Sequence, residues 1–280
     1  MSDVLISVDE LADLLDSAAP PVVLDVRWKL GDPHGRQHYL DGHLPGAVYV
    51  DLESELAAPH TPAQGRHPLP AVEDLQRSAR RWGVDDDRLV VAYDDVGNLS
   101  AARLWWLLRW GGHTAVRLLD GGLPTWTGSG RALDTGDVVP GTGSVGLVGG
   151  RLPVLEAGAV ATFPDTGVLL DARAGERYRG ETEPVDPRAG HIPGAISAPT
   201  GDNLDGSGRF LPADELRRRF ASLGVAEGVP TSVYCGSGVT AAHQIAALRI
   251  AGVEGVLYPG SWSQWSADPA RPAATGPEPR

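Results

Sequence analysis

The chain is written twice, and that duplication limits its fold more than any other feature of its 280 residues. Leu24-Asp25-Val26-Arg27 returns as Leu170-Asp171-Ala172-Arg173, and His43-Leu44-Pro45-Gly46-Ala47-Val48 as His191-Ile192-Pro193-Gly194-Ala195-Ile196. Gly83-Val84 matches Gly224-Val225, and Val91-Ala92-Tyr93-Asp94 matches Ser232-Val233-Tyr234-Cys235. Ser100-Ala101-Ala102 answers Thr240-Ala241-Ala242, and Gly121 to Trp126 answers Gly260 to Trp265. The order is kept and the offset drifts only between 139 and 148 residues. Self-similarity at so long a period means two duplicated domains and not a solenoid, whose repeats run to about 20–50 residues.

Within each half, short apolar runs alternate with amphipathic stretches. Residues 21–24, 89–93, 168–170 and 231–234 read as buried strands, each leading into a polar residue. Residues 72–82, 101–110, 213–223 and 240–251 read as helices. The alternation predicts an α/β fold of two tandem domains, each a mostly parallel sheet with helices on both faces. Ligands of such sheets bind at the carboxyl ends of strands, where Asp94 and Cys235 fall. The expected organisation is a first domain over 1–135, a linker over 136–152 within a Gly-, Val- and Thr-rich stretch, and a second domain over 153–280. Gly141-Thr142-Gly143-Ser144-Val145-Gly146 is formally a dinucleotide fingerprint, but Pro140 before it and Gly149-Gly150 and Pro153 after it deny it a strand and a helix. The Pro- and Ala-rich tail over 268–280 is expected to be extended or disordered.

A net charge of −12 argues against a nucleic-acid or anionic-membrane surface. No apolar run approaches the roughly 18 residues of a membrane span, and the first residues lack the basic-then-apolar pattern of a secretory leader. One cysteine excludes an intramolecular disulfide and a multi-cysteine zinc site, and fits a reducing cytoplasm. His34, His38 and His43 have no acidic or cysteine partner at metal-ligand spacing. His43 and His191, kept in both halves, suit packing or loop bonding. Trp105, Trp106, Trp262 and Trp265 read as core and interdomain contacts and not as a stacking platform. Asn98-Leu99-Ser100 is a glycosylation acceptor in form only, without relevance unless the chain is secreted.

A lone cysteine is by default a small core hydrophobe. Here it opens Cys235-Gly236-Ser237-Gly238-Val239-Thr240, between a strand and a helix. Two glycines let backbone N–H groups turn inward around the sulfur, and the start of the helix adds its positive end. Both favour thiolate, the nucleophilic form. A cysteine-dependent phosphatase would need an arginine six positions on; that position is Ala241, and the loop itself carries no cation.

Cys235-Gly236-Ser237-Gly238-Val239-Thr240-Ala241 resembles the active-site loop of the 3-mercaptopyruvate sulfurtransferases, the sister group of the thiosulfate sulfurtransferases, or rhodaneses. The resemblance spans the chain through both His-Leu/Ile-Pro-Gly-Ala signatures, both Asp-Val/Ala-Arg strand ends and Gly260-Ser261-Trp262-Ser263-Gln264-Trp265. It implies two rhodanese domains with catalysis in the second, since Asp94 stands where Cys235 does and a carboxylate cannot carry sulfur. It implies a persulfide on Cys235 and no cofactor. The donor would be 3-mercaptopyruvate, releasing pyruvate, or thiosulfate; Gly236 and Ser237, where thiosulfate enzymes usually carry basic residues, favour the singly charged donor. The acceptor would be a small thiol, cyanide or thioredoxin, because no second cysteine can resolve the persulfide.

Arg177 matches the family's substrate-binding arginine, with an ion pair to Glu176 or Glu181 as its competing role. The loop residues Gly236, Gly238, Val239 and Thr240 would surround the donor. Arg188, displaced after Glu183-Pro184, is the match for a second substrate arginine. Arg173 recurs as Arg27, which suits a structural salt bridge. Ser237, His67 and Glu53 match a proton relay, which the chemistry asks for because a donor thiol must lose a proton. Two further readings stand beside the first: thiosulfate:cyanide transfer by the same mechanism, and a persulfide carrier or adaptor with little turnover alone.

Overall fold

The computed structural model describes residues 3–280. The chain gathers into two compact units, one of Met1–Ala58, Pro70–Arg151 and Gly206–Phe210, the other of Pro59–Leu69, Leu152–Asp205 and Leu211–Arg280. Each unit thus holds a short segment that comes from the other half of the sequence.

The first unit is a five-stranded parallel sheet of β1 (Leu5–Ile6), β2 (Val22–Asp25), β3 (Val48–Tyr49), β4 (Val90–Tyr93) and β5 (Val116–Leu119), in the order β1-β5-β4-β2-β3. The second is a four-stranded parallel sheet of β6 (Val168–Asp171), β7 (Ile196–Ser197), β8 (Thr231–Tyr234) and β9 (Val256–Leu257), in the order β7-β6-β8-β9. A single bridge from Val154 to Leu257 takes the place beside β9 that β1 takes beside β5. Every residue of β2, β4 and β8 is buried, as a central parallel strand covered on both faces requires. One face of the first sheet packs Val23, Val91 and Leu119 against Leu11, Ala12 and Trp126. The second core repeats this with Leu169, Tyr178, Trp262 and Trp265. Helices Val72–Arg81, Ala101–Trp110, Ala213–Ser222 and Thr240–Ile250 lie where the apolar periodicity predicts them.

The duplicated signatures build the same local structure twice. Arg27 forks onto Asp25 and reaches the Gly42 carbonyl at 2.7 Å; Arg173 forks onto Asp171 and reaches the Gly190 carbonyl at 2.7 Å. His43 stacks on Tyr39 with centroids 4.3 Å apart, and His191 on Tyr178 at 3.8 Å. These are framework residues that pin the loop after each strand, and the four tryptophans named above are all buried.

Two segments differ from a loose-loop picture. Residues 136–151 hold no helix or strand, yet they are strapped down: the amides of Gly143, Val145, Val148 and Arg151 donate to carbonyls of Arg80, Val84, Gly111 and Trp110. The tail is extended and fixed, with His191 and Ala274 exchanging two backbone bonds of 2.8 and 3.0 Å and the Trp265 indole donating to Pro272. Proline lacks a donor, but its carbonyl and its neighbours' amides still satisfy a partner, which is why a Pro-rich tail stays in register here. Asn98 is buried and donates to the Leu119 carbonyl, a structural use of its amide. Among the described residues no helix is long and apolar enough to cross a membrane, and no cluster of three metal-ligating side chains exists.

Candidate active site

The second unit places Cys235 immediately after β8 and five residues before helix Thr240–Ile250. The amide of Gly238 donates to Cys235 Sγ at 3.1 Å. Gly238 has φ +81°, and a Cβ there would drive into the Pro259 carbonyl, so both its handedness and the space demand glycine. The segment beginning at Ser261 sets the orientation of the loop. The Trp262 amide donates to the Cys235 carbonyl and the Ser263 amide to the Gly236 carbonyl, each at 2.9 Å. Because N–H and C=O point oppositely across a planar peptide, holding those two carbonyls turns the amides of Gly236 and Ser237 away from Ser261–Ala267. Ser261 Oγ accepts the Cys235 amide at 3.1 Å and donates to the Tyr258 carbonyl, from a left-handed backbone with φ +54°. A serine held at positive φ stores strain, which the surrounding bonds must hold in place.

Two guanidinium groups stand over the loop. A Cβ on Gly236 would lie 3.0 Å from Arg66 Nη2 and 3.5 Å from Arg177 Nη1. The loop carries no cation of its own, but the fold delivers two to it. Arg177 does not pair with Glu176 or Glu181; it bonds Glu183 at 2.6 Å and reaches Asp186 at 3.3 Å, while Glu181 is taken by Arg179. Arg66 donates to the other oxygen of Asp186. The Glu183 carboxyl is pushed up by burial, but the bond from Arg177 and the amides of Asp186 and Val185 outweigh this and hold it below its usual value. At Asp186 burial dominates: it raises the carboxyl against the pull of Arg66, with the Glu183 charge adding to the rise.

Ser237 Oγ and His67 Nδ1 are 2.7 Å apart and both residues are buried. His67 reaches the loop because Pro59–Leu69 belongs to the second unit, where Ser263 Oγ accepts the Arg66 amide and Gln264 donates to the Ala63 carbonyl. Glu53 lies in the first unit and accepts the Trp28 indole at 2.8 Å. Val239 is buried at the N-cap of the helix that Thr240 begins. Arg188 is committed elsewhere: its guanidinium donates to the carbonyls of Trp265, Ser266, Asp268 and Arg271 at 2.7–3.0 Å, and so staples the tail. The second guanidinium beside the loop is Arg66.

Residues 7–129 and 156–268 each match the model of the rhodanese-like domain. The chain belongs to the rhodanese family. Its relatives include SseB of Mycobacterium tuberculosis, provisionally named a thiosulfate sulfurtransferase, which is 46% identical over 98% of this chain and 97% of its own. A Pseudomonas aeruginosa protein, provisionally named a 3-mercaptopyruvate sulfurtransferase, is also 46% identical, over 97% of this chain and 98% of its own. The crystal structure of SseA from Escherichia coli, solved as a 3-mercaptopyruvate-family enzyme with the rhodanese fold, superposes with a TM-score of 0.83 at 33% identity, covering 94% of this chain and 99% of SseA.

The first rhodanese-like domain shows what its loop is shaped to hold. Asp94, at the position of Cys235, accepts the amides of Val96 and Asn98 on one oxygen and those of Ser100 and Ala101 on the other, at 2.7–3.0 Å. This strand-to-helix loop therefore converges on an anion, the chain's own carboxylate. Burial still raises the Asp94 carboxyl above its usual value against those four amides.

Sequence reading passed over Arg66, Asp186, Ser261 and Ser263. A signal for the serines exists: in the repeat of Gly121–Trp126 by Gly260–Trp265, they replace Gly122 and Pro124 only in the copy that carries the cysteine. Arg66 and Asp186 sit in loops with no counterpart motif, and only folding brings them together.

Proposed function

We propose that this sulfurtransferase moves sulfur from 3-mercaptopyruvate through a Cys235 persulfide to an external thiol. The observation that carries the reading is the Gly238 amide on Cys235 Sγ in a loop whose Gly236 lies beside the guanidinium groups of Arg66 and Arg177. An N–H donor at sulfur favours negative charge there, both on the attacking thiolate and on the persulfide it becomes. The Cys235 thiolate attacks the donor sulfur; an S–S bond forms and the C–S bond breaks, its electrons leaving as the enolate of pyruvate. The donor's S–H proton passes to that enolate, and the Ser237–His67 pair, 2.7 Å apart, would carry it. Arg177, and Arg66 beside it, would hold the donor carboxylate through paired N–H donors. An acceptor thiolate then attacks the outer sulfur and restores Cys235. With one cysteine in the chain the acceptor is external: a small thiol, cyanide or a thioredoxin-type protein, in a reducing cytoplasm that keeps the single thiol competent.

Charge supports the singly charged donor. Two guanidinium groups face two buried carboxylates, Asp186 and Glu183, so their charges nearly cancel and each added negative charge on a donor meets less compensation, which weighs most against a dianion. Thiosulfate would react by the same attack, with sulfite leaving.

The test is a comparison of kcat/KM for the two donors in the full chain, with Cys235→Ser as control. A higher value for 3-mercaptopyruvate, and no pyruvate release by the serine variant, is expected. Pyruvate release that persists in Cys235→Ser would remove the cysteine from the mechanism, and negligible turnover of either donor by the wild type would favour the carrier reading.

A further inference from the structure

The carboxylate of Asp186 lies against both guanidinium groups that stand over the cysteine loop. One of its oxygens accepts from Arg66 and the other lies 3.3 Å from Arg177 Nη2, so it bridges the two guanidinium groups that stand over Gly236. Bridging paired N–H donors with two oxygens is how a guanidinium cluster takes any carboxylate. Only 3% of the side chain is exposed, against 20% for Arg66 and 18% for Arg177, so the anion lies inside while the guanidinium edges face out.

The segment holds this carboxylate rigidly. Glu183 Oε1 accepts the amides of both Val185 and Asp186 at 3.1 Å, which closes a tight turn. Pro184 and Pro187 flank that turn and remove backbone freedom. Glu183 in turn bonds Arg177 and Arg173, so the turn is anchored to the guanidinium it serves and to the framework pair of Arg173 with Asp171. A buried carboxylate between two arginines relieves their mutual repulsion and fixes their orientation. It also opposes each further negative charge in proportion, so a cluster that holds one discriminates among anions.

We propose that Asp186 is the donor-discriminating residue of this site, an internal anion on Arg66 and Arg177 that admits a singly charged donor and disfavours a doubly charged one. The proposal rests on the reading that Cys235 takes sulfur from an anionic donor and goes beyond it by naming what sets the choice. A monocarboxylate can share the outer N–H groups of Arg66 and Arg177 while Asp186 keeps the inner ones. A dianion meets the same fixed charge twice over. Asp186 acts through the two arginines and touches neither the reacting sulfur nor its donor.

The experiment is Asp186→Asn in the full chain, assayed with 3-mercaptopyruvate and with thiosulfate, beside Asp186→Glu. Asparagine keeps the shape and loses the charge, so kcat/KM for thiosulfate should rise about tenfold relative to that for 3-mercaptopyruvate, mostly through KM. Sulfate should become a stronger competitive inhibitor, and Asp186→Glu should keep the wild-type ratio. A ratio unchanged by Asp186→Asn, or an equal loss with both donors, would make Asp186 a loop anchor and overturn the proposal. Should Asp186→Asn not fold, the wild type still decides: at matched ionic strength, sulfate that inhibits more tightly than formate counts against it, and the reverse order supports it. The donor reading itself stands or falls on the wild-type ratio, the present proposal on how the ratio changes.

Discussion

Ser237 and His67, 170 positions apart in the chain, meet at 2.7 Å inside the second rhodanese-like unit. On the proposed reading this pair carries the donor's proton, and the two donors would need it differently. A thiol donor has a proton to lose as its sulfur moves; thiosulfate has none.

Ser237→Ala and His67→Gln should therefore each lower kcat with 3-mercaptopyruvate by roughly 10²–10⁴-fold, the usual range for positioned acid–base groups. With thiosulfate the loss should be much smaller. Steady-state kinetics with both donors check this, and equal losses would show that the pair serves only to shape the loop.

At Arg177 the geometry of the group counts as well as its charge. Arg177→Lys keeps the positive charge but loses the fork that holds Glu183 and faces the loop. A charge-assisted bond contributes about 1.5–3 kcal/mol, so kcat/KM for the keto-acid donor should fall roughly 10–100-fold, chiefly in KM. A lysine variant with wild-type KM would separate Arg177 from donor binding.

Asp94 should matter for stability and not for chemistry. Asp94→Ala leaves the amides of Val96, Asn98, Ser100 and Ala101 without their acceptor in a buried loop. Each unsatisfied group costs about 1–3 kcal/mol, so unfolding in urea should reveal a loss of about 3 kcal/mol or more. Turnover per folded molecule should hold. A variant as stable as the wild type would show that water replaces the carboxylate at little cost.

Glu183 and Asp186 should give stability opposite dependences on pH. Glu183 is held below its usual value, so its contribution is present at neutral pH and is lost as pH falls through its folded pKa. Asp186 is raised, so the folded state binds its proton more tightly than the unfolded chain does. Its favourable contribution is present at low pH and is lost as pH rises through the folded value. The groups facing it are Arg66, Arg173, Arg177 and Glu183. Subtracting the stability curve of Glu183→Gln from that of the wild type should give a difference that grows with pH. The same subtraction for Asp186→Asn should give one that falls with pH, and parallel curves would contradict both assignments.

The central strands β2, β4, β6 and β8 were legible as short, mostly apolar runs, and the four long helices because each carries enough residues to display a period. The strands β1, β3, β7 and β9 were not, since two residues make no run, and β5 is interrupted by Arg117. The strapped segment over 136–151 and the pinned tail look like loose loops by composition. Their order comes from backbone bonds to partners remote in the chain, which composition does not encode.

By itself the sequence determined the duplication, the parallel α/β class, the position of Cys235 at a strand-to-helix turn and the absence of a sulfur-carrying residue at Asp94. All of these follow from local pattern or from one half compared with the other. Only the tertiary structure decided which charges stand beside the cysteine loop. It committed Arg188 to carbonyls of the tail, brought Arg66 and His67 to the loop from the first half of the chain, and set Asp186 between two arginines. Such choices depend on which side chains meet in space after the backbone has satisfied its own hydrogen bonds, and no spacing along the chain records that.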